Sequence, residues 1–142
     1  MFLKLVFGFT VSRNIDMAPS ISEGELLLFY RLEKGYNTDD VVVVNHENEE
    51  YILRIVAKPG ETVTINDKDE LLVNDLPESH TVFYKTIKNE KAKLEYPVKL
   101  KDDEYFVVGD YRVNTNDSRL FGPIKNDEIK GLVIGKLKIR DI

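Results

Sequence analysis

Chemistry has few places to reside in this chain of 142 residues. It contains no cysteine, which removes thiolate catalysis, disulfides and cysteine-bearing zinc sites together. Its two histidines, His46 and His80, stand among polar residues with no further ligand types gathered around them, so neither marks a metal centre. The residues that could act or support action fall in three places. Asp16 lies just ahead of Met17, Ala18 and Pro19. Leu53 and Arg54 sit in a run that ends at the Lys58-Pro59-Gly60 turn. Gly109, Asp110, Arg112, Thr115, Asp117, Ser118 and Arg119 crowd one stretch that closes on Gly122. Nothing in this set calls for a metal or a cofactor.

The elements that must position them read as short β-type runs separated by turn residues, with almost no helical periodicity. Leu3, Leu5, Phe7, Phe9 and Val11 alternate at period two and predict a strand. Residues 13–20 form an irregular segment in which Pro19 fixes its own φ and pushes Ala18 toward extended backbone. Gly24 to Leu32 predicts a strand. Four consecutive valines, Val41 to Val44, predict one buried on both faces. From Tyr51 to Ala57 the chain alternates, with Leu53 and Ile55 on one face and Arg54 and Val56 on the other. Val63 to Ile65, Glu104 to Val108 and Gly131 to Arg140 predict further strands. Between Asn66 and Asp103 the chain is more charged and less regular, although Glu70 to Asn74 and Thr81 to Ile87 suit a hairpin-like piece. The expected class is all-β, a barrel or sandwich core from residues 1–65 and 104–142 with a small cap subdomain, 66–103, inserted.

Length allows one domain with a real core. Hydrophobic residues make up 42% and charged residues 32%, which suits a globular chain rather than a disordered one. A net charge of -5 with scattered basic residues argues against a nucleic-acid partner. The apolar start, residues 1–11, is too short to cross a bilayer, which takes about 20 apolar residues. It also lacks the small-residue cleavage site of a signal peptide. It equally suits a membrane-proximal strand behind an upstream anchor that this chain does not contain.

Three segments, in this order, resemble the signature boxes of type I signal peptidases, the peptidase S26-like family. The segment Asp16-Met17-Ala18-Pro19-Ser20-Ile21 stands where the family has Ser-Met-x-Pro-Thr-Leu. The run Tyr51-Ile52-Leu53-Arg54 followed by Pro59-Gly60-Glu61 stands where it has Tyr-Val/Ile-Lys-Arg and Pro-Gly-Asp. Gly109-Asp110-Tyr111-Arg112, continued by Thr115 and Asp117-Ser118-Arg119 to Gly122, stands against Gly-Asp-Asn-Arg-x-x-Ser-x-Asp-Ser-Arg-x-x-Gly. The third box is the most specific of the three.

The resemblance implies an all-β core with an inserted cap, held by an N-terminal anchor on the outer face of the cell membrane. It implies a serine nucleophile at position 16 and a lysine base at position 53, with Thr115 near the amine and Asp117 and Arg119 in a supporting ion pair. The dyad is absent here. An Asp16 carboxylate has no hydroxyl to deprotonate and attacks a neutral amide poorly, and Leu53 has no atom that accepts a proton. Arg54 stays protonated and cannot replace the base. Near an apolar cleft Asp16 needs donors, or its pKa must rise.

What the resemblance leaves is a fold and a cleft that binds an extended chain by strand addition, with Asp16, Met17, Ala18, Pro19 and Leu53 at the cleft. The combination is similar to the signal-peptidase-like pilus assembly factors of Gram-positive bacteria. It implies a chaperone or scaffold role with pilin subunits or their sortase as partners. Two alternatives stand beside it. One is an endopeptidase with an altered mechanism cutting exported proteins; the other is an interaction module whose cleft has collapsed. Independently of any family, Pro59-Gly60 and Gly109-Asp110 are turn residues, Leu53 suits a core, and Asp117 with Arg119 suits a loop tied to the core.

Overall fold

The computed structural model describes residues 5–78, 84–113 and 115–138. In these, eleven strands form two antiparallel sheets, as the all-β expectation requires. The larger sheet holds β1 (Phe7–Val11), β2 (Leu26–Tyr30), β3 (Val41–His46), β4 (Glu49–Ala57), β9 (Glu104–Val108), β10 (Ile124–Lys125) and β11 (Ile129–Leu137). Its order is β1-β2-β11-β3-β4-β9-β10, so β1 and β10 are edges and the sheet is open. The smaller sheet is ordered β7-β6-β5-β8, from β5 (Thr62–Ile65), β6 (Leu71–Val73), β7 (Leu76–Pro77) and β8 (Val98–Lys99). A short helix, Ser118–Phe121, follows the third box.

The β3-β4 hairpin does most to place the candidate site. Glu47 and Asn48 both have positive φ, the geometry of a tight two-residue turn whose twist matches that of the flanking strands. Once that turn is set, register follows down the ladder, with Leu53 opposite Val42 and Arg54 opposite Val41. Val42, Val43 and Val44 are fully buried, which bears out the reading of β3 as covered on both faces. Leu53 and Ile55 enter a cluster with Val42, Val44, Tyr105, Val107 and Ile124. Ile52 turns the other way, onto Met17, Ile21 and Leu27.

The smaller sheet shares a core with the larger. Val63, Leu71 and Leu100 pack with Val56, Ala57, Phe106 and Val108 from the far ends of β4 and β9. β5 pairs only with β6 and β8, so the second sheet begins at Thr62, within the stretch expected to belong to the main core. Two other expectations differ. The first strand starts at Phe7, with Leu5 helical ahead of it; Leu3 lies outside the described residues. The partner of Leu72 and Val73 is the nearby Leu76–Pro77 pair, because Asn74 and Asp75, both at positive φ, close a tighter turn. Of the segment expected to pair there, residues 81–83 lie outside the described residues, and 84–87 form no strand.

Candidate functional site

The loop after β1 carries Asp16 on a base of backbone bonds. Ser12 N–H reaches the Glu25 carbonyl at 2.9 Å, Ala18 N–H the Ile15 carbonyl at 2.9 Å, and Ile21 N–H the Met17 carbonyl at 2.9 Å. The Ala18–Pro19 peptide is cis. Met17 is 1% exposed and packs on Ile21 and Leu27, so it roots the loop instead of lining a cleft. Asp16, Ala18 and Pro19 remain accessible above it.

The third box grips this loop from the side. Tyr111 N–H donates to the Asp16 carbonyl at 2.9 Å. A Cβ added at Gly109 would fall 2.6 Å from that same carbonyl oxygen and 2.9 Å from Thr115 Cγ2. Only glycine lets the two segments approach so closely. Asp117 is fully buried, and its carboxylate accepts Gly109 N–H at 3.0 Å and the Thr115 hydroxyl at 2.8 Å. Arg119 pairs with it, Nη2 to Oδ2 at 2.7 Å, and Nη1 donates to the Arg112 carbonyl at 2.7 Å. Arg119 Nη2 also meets the Thr115 hydroxyl at 2.6 Å. The Ser118 hydroxyl accepts Val107 N–H, and Gly122, at positive φ, ends the helix. The ion pair implied by the third box is thus present as a saturated, buried unit.

Asp110 makes a second such unit. Its oxygens take Arg54 Nε at 2.9 Å and Nη2 at 2.8 Å, and Ser20 Oγ donates to it at 2.6 Å. Arg54 also reaches the Asp39 carbonyl at 2.7 Å. Thus Arg54 and Asp110, 56 residues apart, tie β4 to the end of β9, while Ser20 adds the far end of the Asp16 loop. Pro59-Gly60 is a turn with Gly60 at positive φ, its N–H on the Leu100 carbonyl.

The Asp16 carboxylate is different. Among the described residues it has no hydrogen-bond or ion-pair partner, and its pKa is raised, first by burial and then by the Asp117 charge. Leu53 is fully buried within its apolar cluster, so it is a core residue and not one accessible to a bound chain. No proton acceptor stands at that position.

Several partners had no signal in the sequence. Arg112, fully buried and at positive φ, forks onto Glu78 with Nη2 at 2.6 Å and Nη1 at 2.8 Å, and Nη1 also meets the Thr86 hydroxyl at 2.7 Å. Arg119 Nη1 adds the Ile87 carbonyl at 3.2 Å. Two arginines of the third box therefore hold Glu78, Thr86 and Ile87 beside the Asp16 loop, with Tyr84 edge-on to Tyr111. Tyr96, from the same segment, lies near Asp117 and Arg119; its phenol is pushed up to about 12, chiefly by burial. Asn114 and His80 lie outside the described residues.

Two strand edges flank the Asp16 loop. Among the described residues β1 pairs with β2 alone. β4 pairs with β3 from Glu49 to Arg54 but with β9 only from Arg54 to Ala57, so residues 49–53 carry a free edge among the described residues. Antiparallel alternation turns every second backbone group outward. Counting from Ser12, whose N–H faces β2, leaves Val11 and Phe9 facing out; counting from Ile55, bonded to Asp40, leaves Ile52 and Glu50. Tyr51 on that edge feels the Asp16 charge, which with Glu49 and Glu47 and after burial raises its phenol. Among the described residues, both edges therefore present backbone groups that no neighbouring strand takes up.

Fold and site define a two-sheet β scaffold that presents a loop residue beside a buried Thr-Asp-Arg unit, next to unpaired strand edges. The chain belongs to the signal peptidase family, peptidase S26, whose family model matches residues 1–138. It is 35% identical over 128 residues to a signal peptidase I of Bacillus amyloliquefaciens, covering 75% of this chain and 68% of that protein. Signal peptidase I T of Bacillus subtilis is also 35% identical, with 82% of this chain and 66% of that protein covered, so the chain spans about two thirds of such relatives. A protein named inactive signal peptidase IA, from Staphylococcus aureus, is 29% identical over 96% of this chain and 79% of its own length. A crystal structure of a signal peptidase I from Enterococcus faecalis superposes with a TM-score of 0.58 at 22% identity, covering 71% of this chain and 98% of that one, a likeness of fold.

Proposed function

We propose that this protein is a catalytically silent member of its family that retains the strand slot and serves as a chaperone or scaffold in surface-pilus polymerisation. One observation carries the silent part. The position matched to the serine holds Asp16, and the position matched to the base holds Leu53, sealed in an apolar cluster. The relative named inactive supports it. The slot is the feature that binds: an extended segment of a pilin subunit or of its sortase would add beside β1 and β4, with main-chain bonds supplying affinity. The pilus role itself rests on the resemblance to pilus assembly factors. The site would work on the outer face of the membrane behind an N-terminal anchor; among the described residues no helix is long and apolar enough to cross a membrane.

One observation favours a peptidase of altered mechanism. After burial, the Asp117 charge helps to raise the Asp16 pKa, and an acid pair activating water requires such proximity. Against it, both Asp117 oxygens are occupied by Gly109, Thr115 and Arg119, which leaves no shared proton.

Two experiments test the reading. In a pilus-assembly assay with pull-down of pilin and sortase, Ala18→Trp should block the slot and abolish both capture and polymerisation. Unchanged capture and assembly would sink the proposal. Incubation of wild type and Asp16→Ala with a signal-peptide substrate should give no cleavage by either; cleavage lost in Asp16→Ala would establish the peptidase instead.

A further inference from the structure

Thr10 on β1 and Glu50 on β4 meet, although β2, β11 and β3 stand between their strands in the sheet order. The Thr10 hydroxyl donates to Glu50 Oε2 at 2.6 Å, and Lys130 Nζ on β11 lies 3.3 Å from Glu50 Oε1. Among the described residues, Glu50 belongs to the length of β4 paired on its β3 side only, and Thr10 to β1, paired on its β2 side only. The contact therefore spans the two edges that an added strand would have to enter between.

Its reach is informative. Hydrogen-bonded neighbours in a sheet lie about 4.8 Å apart, so two strands flanking a third stand about 9.6 Å apart. A threonine and a glutamate side chain joined end to end bridge at most about that distance. A gap so held admits at most one strand. Free strand edges are also an aggregation hazard that folds commonly cover. A side-chain bridge covers this one without filling it with backbone.

We propose that Thr10, Glu50 and Lys130 form an autoinhibitory latch across the slot, which an incoming extended segment displaces. The latch rests on the proposed peptide-binding role of the slot. In the closed form Glu50 is shared between the Thr10 hydroxyl and the Lys130 ammonium. In the open form Thr10 releases it and Lys130 retains it, so the carboxylate never loses its cation. Glu50 and Lys130 side chains are 35% and 39% exposed. Partly exposed contacts of this kind contribute little, so the latch should cost an entering segment at most about fivefold in affinity. That suits a gate opened by binding itself.

The test is a fluorescence-anisotropy titration with a labelled decapeptide carrying an Ala-Gln-Ala segment. Thr10→Val removes the hydroxyl at nearly constant shape and should tighten binding about fivefold over wild type, as should Glu50→Ala. The double variant should gain no more than either alone, since both break the same contact. Thr10→Ser should bind as wild type does. Equal or weaker binding in Thr10→Val overturns the latch while leaving the slot standing. No binding to wild type or to any variant overturns the slot and the latch together.

Discussion

The Tyr111 N–H donates to the carbonyl oxygen of Asp16 at 2.9 Å, across 95 residues of chain. Through that bond the third box holds the loop that carries Asp16. The same segment, through Asp117 and Arg119, braces Thr115 and Gly109. It thereby sets a buried, hydrogen-bonded unit beside the Asp16 loop.

Gly109→Ala should destabilise the fold by about 1–3 kcal/mol, the usual cost of forcing atoms into a packed site. The added methyl meets backbone at the Asp16 carbonyl, which cannot rotate away as a flexible side chain would. Denaturant titration would show a lowered midpoint, and an unchanged midpoint would contradict the close approach.

Asp117→Ala should cost more, about 3–5 kcal/mol, because it leaves the buried Arg119 guanidinium without its counter-charge and frees Gly109 N–H and the Thr115 hydroxyl. Thermal unfolding would report it. A variant within about 0.5 kcal/mol of wild type would mean that the unit is ornamental.

Asp16 should make stability fall as pH rises. Burial and Asp117 raise its folded-state pKa above 3.8, while Tyr51 is the other titratable group shown to interact with it. Between the unfolded and folded pKa values the native state binds more protons, so unfolding free energy declines with pH across that window. Below 3.8 both states are protonated and the penalty is absent. Asp16→Asn should therefore be more stable than wild type at pH 7, with the difference vanishing in acid. Paired chemical-denaturation curves at the two pH values measure it; a difference that grows in acid would reverse the sign.

Arg112→Met should loosen the inserted segment. Its guanidinium is the buried link to Glu78 and Thr86, and removing it strands the Glu78 carboxylate. Limited proteolysis should cut near residues 84–88 about tenfold faster than in wild type, corresponding to about 1.4 kcal/mol of local anchoring. Equal digestion rates would show that other contacts hold the segment.

Local chemistry made much of this protein legible from the chain alone. Alternation at Tyr51 to Ala57 placed Leu53 and Arg54 on opposite faces because strand side chains have period two. The valine run marked β3 as buried, and the spacing of Gly109 to Gly122 marked the box that grips the loop. Residue types at positions 16 and 53 alone removed the hydroxyl and the amine.

Tertiary structure decided what those residues meet. Met17 looks like a cleft residue in sequence, yet it is the loop's buried root, since burial depends on which strands pass beneath. Glu78 and Thr86 are unremarkable in a charged stretch, and only folding brings them onto Arg112. Thr10 and Glu50 meet 40 residues apart because the sheet brings two distant strand edges together. Side-chain identity is written along the chain, but a partner across a sheet is set by register, twist and the packing of both faces, which no local window contains.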